Sequence, residues 1–180
     1  MAKSVLIISS SLRAGSNSDL LARECEKGAK AAGHDVRLIS LKGKEIQFCI
    51  GCLACQKTGR CVLRDDVAEI MEQVKNAEVL VFATPIYYYE LSGQLKTLLD
   101  RLNPLYSADY AFRDIYMIAT AAEDDEAAFD KAYNGLQGWV DCFGKAELKG
   151  RVTGGGIDAA NDAPNHPDVM KQAYRLGLAL

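Results

Sequence analysis

Histidine is nearly absent from this chain, with two residues in 180. His34 lies in a Gly-His-Asp turn and His166 precedes Pro167, so both read as solvated. No Ser/His/Asp or Cys/His set can be assembled from them, and no general acid or base is assigned. An excess of positive charge is also missing. Twenty-one Lys and Arg stand against 24 Asp and Glu, a net charge of −3, which argues against a nucleic-acid partner. No apolar run approaches membrane-spanning length, and the run in MAKSVLIISS is too short for a secretory signal, so a cytoplasmic protein without membrane association is expected. Repeats, low-complexity tracts and linkers are lacking, and residues 1–180 read as one domain. A chain of this length buries about 70% of its extended surface.

Two nucleotide signatures are missing as well. The chain has no G-x-x-x-x-G-K-[ST], which tells against a triphosphate held with magnesium. Gly154 to Ala159 fits G-x-G-x-x-A by letter. About twenty residues follow, including Pro164 and Pro167, too few for a complete βαβ unit of roughly thirty residues. That segment reads as a flexible loop, placed near the ligand of a neighbouring subunit.

What is present is organised around the stretch VLIISSSLRAGSNSDLLA. Val5 to Ile8 are continuously apolar, as in a strand buried on both faces of a parallel sheet. Ser9 to Ser18 then carry five hydroxyls and Arg13, and Leu20, Leu21, Cys25 and Gly28 resume at helical spacing with Ser16, Asn17 or Ser18 as the N-cap. Strand, polar loop and helix start together form an anion site, because the first amides of a helix have no internal partner and its N-terminus is partly positive. Lacking pyrophosphate glycines, this loop suits a terminal monophosphate, which is how FMN is held.

The remaining chain alternates strand and helix patterns. The first helix is expected over Ser18–Ala32, stopping at Gly33, and a second strand at Val36–Ile39. A second helix begins at Asp66, with Glu69 completing a capping box and Val67, Ile70, Met71 and Val74 facing the core. Val79 to Phe82 form a third strand ending in Thr84-Pro85. A third helix carries Leu91, Leu95, Leu98, Leu99 and Leu102, and Pro104 ends it. A strand at Ile115–Ala119, a helix over Ala127–Phe143, a weaker strand over about 146–153 and a last helix from about Asp168 follow. Strands alternating with helices imply right-handed βαβ units. The expectation is an α/β flavodoxin-like fold: a doubly wound five-stranded parallel sheet, order 2-1-3-4-5, in three α/β/α layers. Ligands bind such sheets outside the carboxyl ends of strands one and three. Both polar loops leave those ends. The second, TPIYYYELSGQLK, offers backbone groups of residues 85–89 for a flavin's ring atoms and Tyr87 or Tyr88 as a stacking surface; the alternative is that these tyrosines pack at a strand end or subunit interface.

SSLRAGSNS resembles a family's G-S-P-R-x-x-G-N-T phosphate loop, and TPIYYYELSGQLKTLLDR resembles its S-P-V-Y-x(6)-L-K-x-x-x-D-R segment. The family is the NAD(P)H-dependent FMN reductase and iron–sulfur flavoprotein group, and the resemblance spans about the first 105 residues. It implies phosphate contacts from Ser9, Ser11, Arg13, Ser16, Asn17 and Ser18, and ring contacts from Pro85, Ile86, Tyr87 and Tyr88. It places Thr120 in a third cofactor loop, where the family often carries glycine. Ser10 likewise replaces a usual Gly, and Leu12 a frequent Pro. The activity implied is NAD(P)H-dependent oxidoreduction through FMN to a small-molecule or protein acceptor, by chains that commonly form dimers or tetramers.

Cys49-x2-Cys52-x2-Cys55-x5-Cys61 lies in a long, insertion-like connection at about 41–64. The spacing resembles the compact ligand run of ferredoxin-type clusters more than the separated pairs of zinc sites. Iron–sulfur flavoproteins carry a very similar motif, which implies a [4Fe–4S] cluster here and electron exchange with a ferredoxin-like protein. The alternative is that the thiols only brace the loop. Cys25 and Cys142 are expected to be structural. A third class, a receiver-like module without catalysis, needs a phosphorylatable Asp where the chain has Thr84-Pro85.

Overall fold

The computed structural model describes all 180 residues. β1 (Ser4–Ser9), β2 (Asp35–Ser40), β3 (Val79–Tyr87), β5 (Asp114–Thr120) and β6 (Glu147–Gly154) form one parallel sheet in the order β2-β1-β3-β5-β6. A two-residue strand, β4 (Glu90–Leu91), pairs antiparallel with the end of β3. Setting it aside, the order is the expected 2-1-3-4-5. The continuous apolar runs explain why the sheet is central: alternate residues of each strand serve opposite faces. Leu6, Ile8, Leu80 and Phe82 pack against α3 (Val67–Asn76), α4 (Gly93–Arg101) and α5 (Asp130–Val140). Val5, Ile7, Val79 and Val81 pack against α1 (Asn17–Ala31) and α6 (Pro167–Ala179). These two helices approach so closely that a Cβ on Gly28 would lie 2.0 Å from the Tyr174 carbonyl oxygen. No helix is long and apolar enough to cross a membrane.

Several local expectations change. Ser16 is the cap of α1, its Oγ accepting from the Asp19 amide at 3.3 Å. The capping box at α3 does not form. The Asp65 carboxylate takes the Val67 amide at 3.1 Å, while Asp66 turns to the Lys44 ammonium and Glu45 amide at 3.1 and 2.7 Å. β3 continues to Tyr87 because β4 gives its end a partner, which removes Leu91 from α4. The helix expected from Ala127 starts as a 3₁₀ turn, Glu126–Phe129, and its α-helical part ends at Val140. Cys142 is exposed, so packing does not hold it in place; Cys25 is buried in the core.

The cysteine connection contains a short helix, α2 (Ala54–Thr58). Its two ends are tied to α4 by a buried ion pair. Arg101 holds Asp65 through both terminal nitrogens, at 2.6 and 3.0 Å, and donates to the Gln47 carbonyl at 2.7 Å. The Gln47 amide in turn donates to Asp65 at 2.8 Å. The Gly154–Gly156 segment differs most from expectation, being pinned within its own chain: Ala121 N–H donates to Gly154 O at 3.0 Å and Gly156 N–H to Glu123 O at 3.1 Å.

Candidate functional site

Ser9 pairs with Ala83, and Pro85 with Thr120, so three loops leave adjacent strands at one end of the sheet. Ser10 joins the first two. Its amide and hydroxyl both donate to the Ala83 carbonyl, at 2.9 and 3.0 Å, and its Oγ lies 2.9 Å from Ser92 Oγ. Ser92 caps α4 and its amide donates to Thr84 Oγ1 at 3.1 Å. A glycine at position 10 would lack the hydroxyl that makes this link.

The loop between β1 and α1 is rich in unused donors. Ser10, Arg13, Asp19 and Leu20 amides have partners in the chain, whereas those of Ser11, Leu12, Ala14, Gly15, Ser16, Asn17 and Ser18 have none. Five of these seven, on Ser11, Gly15, Ser16, Asn17 and Ser18, belong to buried or half-buried residues, and N–H groups so placed at a helix start need an acceptor, which makes the loop an anion cradle. Ser9 Oγ is buried without a partner. Ser16 and Ser18 hydroxyls lie 3.1 Å apart, and Ser11 Oγ accepts the Arg13 amide at 3.3 Å. A cavity of about 210 Å³ beside the loop is lined by Ser11, Arg13, Gly15, Ser16, Arg23 and Lys42, among others.

Two side chains expected to face a phosphate are engaged elsewhere. Arg13 Nη1 donates to the Asp158 carbonyl at 2.7 Å. Asn17 donates to the Ala159 carbonyl at 2.8 Å and accepts from the amides of Asp162 and Ala163 at 2.8 and 3.0 Å. Nothing in the local sequence of either residue announces partners some 145 positions away.

The second loop is a tight hairpin. Tyr87 pairs with Glu90, and the two residues between, Tyr88 and Tyr89, both have positive φ, 51° and 65°. Positive φ at both central positions is the signature of a type I′ turn, normally built from Asn and Gly. Tyrosines there are strained, and strain of this kind concentrates at ligand sites. Pro85 and Ile86 are half-buried, Tyr87 is exposed, and Tyr88 is 98% exposed at the tip. Thr120 is buried beneath, between Pro85 and Gly154 in register. The eleven residues named from the sequence for the FMN site therefore share one end of the sheet.

Cys49, Cys52, Cys55 and Cys61 line one cavity of about 30 Å³ together with Arg101 and Asn103. Asn103 Nδ2 donates to Cys55 Sγ at 3.1 Å. Arg101 Nε is buried and unpartnered, while the guanidinium's terminal nitrogens hold Asp65. No three Cys, His, Asp or Glu side chains are gathered tightly enough to hold a metal ion. The cavity is small, and Cys49 and Cys52 at its rim are exposed. It lies at the far end of α4 from Ser92, nine residues or about 13 Å along the helix.

A family model described as NADPH-dependent FMN reductase matches residues 4–132. An iron–sulfur flavoprotein of Methanocaldococcus jannaschii is 41% identical over 56% of this chain and 52% of its own length. The chain thus spans about half of that relative. An iron–sulfur flavoprotein of Methanosarcina thermophila is 26% identical over 94% of this chain and 91% of its own. Among solved structures, an NAD(P)H:quinone oxidoreductase from Methanothermobacter marburgensis superposes with a TM-score of 0.77 over 99% of this chain and 96% of that one. At 18% identity this likeness shows the fold, a flavodoxin-like one.

Proposed function

The chain belongs to the NADPH-dependent FMN reductase family, and from that we propose that it is an FMN-containing oxidoreductase using NAD(P)H as electron donor and a small molecule or protein as acceptor. One observation carries the reading: seven partnerless amides around the start of α1, on the strand tip next to a strained tyrosine turn. The donor set fits FMN. A phosphate monoester brings acceptors to a loop rich in free amide donors, whose Asp19 carboxylate is paired with Arg23, and charge-assisted bonds to it are about twice as strong as neutral ones. Ser9, Ser11, Ser16 and Ser18 supply hydroxyls near the same loop, and the amides of Asn17 and Ser18 complete it.

Pro85 and Ile86 form a half-apolar floor, and Tyr87 and Tyr88 offer aromatic faces that keep water from a flat ring. Thr120 closes the floor from the neighbouring strand. When bound, FMN supplies the hydride and electron chemistry itself; the chain's residues bind, orient and shield it. No acid or base is needed from the chain. Purified protein is expected to be yellow with equimolar FMN, and to bleach anaerobically with NADPH or NADH. A flavin-free chain that takes up no FMN contradicts the reading.

A second reading is favoured by the cysteine cavity: an iron–sulfur flavoprotein with a [4Fe–4S] cluster on Cys49, Cys52, Cys55 and Cys61, exchanging electrons with a ferredoxin-like partner. A cluster holds its thiolates apart by its own width, so it does not need the convergence a single ion requires. The Asn103 amide and the orphaned Arg101 Nε are donors that suit a group with negative charge on sulfur. Iron and sulfide analysis of anaerobically purified protein separates the two readings. Assembly into a homodimer or homotetramer is part of both, supported by exposed Phe48, Ile50, Leu53 and Tyr88, and is tested by light scattering on the eluting species.

A further inference from the structure

The family match ends at residue 132, yet the loop it covers is completed by residues beyond it. The segment after β6 crosses back over the β1–α1 loop and is bound to it five times. Arg13 reaches the Asp158 carbonyl at 2.7 Å, and Asn17 reaches the Ala159 carbonyl at 2.8 Å. The Asn161 amide donates to Gly15 O at 2.8 Å, and the amides of Asp162 and Ala163 both donate to Asn17 Oδ1. Asn161 sits in the left-handed region at φ 61°, which asparagine tolerates, and its side chain fills the space over Gly15. A Cβ on Gly15 would lie 2.5 Å from it. The near end of the same segment is fixed to the loop after β5, with Ile157 N–H donating to Ala121 O at 2.9 Å.

Asn17 is central to this arrangement. It is 6% exposed, and its carboxamide makes three hydrogen bonds, all to the crossing segment. A carboxamide so engaged has its oxygen fully used and one of its two N–H donors taken, so at most one N–H remains for a ligand. Its backbone amide, by contrast, is one of the seven free donors.

We infer that residues 157–163 are a strap that sets the shape of the phosphate loop, and that Asn17 is a positioning residue whose side chain holds the strap and leaves the phosphate to the amides. The inference rests on the FMN reading. The strap fixes Gly15 and Asn17 from outside, and so fixes where the amides of residues 14–18 point. Phosphate affinity then depends on a segment with no phosphate contact of its own.

The test uses the full chain stripped of flavin. FMN and riboflavin binding are followed by fluorescence quenching, and exchange of the Asn161, Asp162 and Ala163 amides is measured before flavin is added. Asn17→Ala should weaken FMN about tenfold, leave riboflavin within about twofold, and speed exchange of those three amides in the flavin-free protein. Asn161→Ala acts from the strap side and should give the same pattern to a smaller degree; it decides the matter if Asn17→Ala does not fold. Weaker FMN binding with unchanged exchange would make Asn17 a direct phosphate contact and overturn the inference. Faster exchange with unchanged FMN affinity, or equal loss of both flavins, would overturn it too. A wild-type chain that binds neither flavin sinks the FMN reading itself, and the strap's role with it.

Discussion

At the scale of single residues, the best-determined electrostatic feature is the Asp65–Arg101 pair, whose side chains are 0% and 1% exposed. Burial alone would raise the Asp65 pKa, but hydrogen bonds from Arg101 and from the Gln47 and Val67 amides outweigh it and hold the carboxyl below its usual range. Its contribution to stability is therefore present above the unfolded value of about 4 and is lost as pH falls through the lower folded value. Asp65→Asn should cost about 3–5 kcal/mol at pH 7, because Arg101 is left buried with its charge uncompensated. Urea unfolding at pH 7 and at acid pH checks this, and the gap between variant and wild type should narrow in acid. Thiol labelling gives a second check on individual residues. Burial pushes the Cys25 thiol up to about 12, so the folded chain should leave it unmodified at pH 8 while exposed Cys49, Cys52 and Cys142 react. Ser16 was legible as one of three cap candidates. The engagements of Arg13 and Asn17 were not, because backbone carbonyls carry no residue-specific signal in a sequence.

Among the elements, the tyrosine hairpin is the one whose local sequence and conformation disagree. Replacing Tyr88 and Tyr89 by Asn and Gly supplies the residues a type I′ turn prefers. The double variant should be more stable in the flavin-free form by about 1–2 kcal/mol and should bind FMN more weakly, since the strain is relieved as the aromatic faces are lost. Thermal unfolding and flavin titration on one preparation read both effects. No Asn-Gly marks this turn, which is why β3 looked shorter from sequence than it is. The absent capping box at α3 has a similar cause: two adjacent aspartates compete, and the loop's Lys44 and Glu45 capture Asp66. Between α1 and α6 the requirement is for space. Gly28→Ala puts a methyl 2.0 Å from the Tyr174 carbonyl, and should destabilise by about 1–3 kcal/mol without altering which flavin is bound.

For the whole molecule, the sheet order was legible because buried parallel strands are continuous apolar runs and crossovers are right-handed, which leaves few topologies open. The same reasoning put the β1 and β3 loops side by side, as their register shows. The return of residues 154–166 onto the first loop was not legible, since it depends on where β6 ends relative to β1, two strands and a crossover away. Nor does spacing decide what four cysteines around a small cavity hold. The account's central claim is that amides at the start of α1 bind FMN by its phosphate. Equilibrium titration of the flavin-free chain with FMN and with riboflavin, which lacks that group, tests it most directly. FMN should bind at least about a hundredfold tighter, the effect of two or more charge-assisted hydrogen bonds. Equal affinity for the two flavins, or none for either, would contradict it.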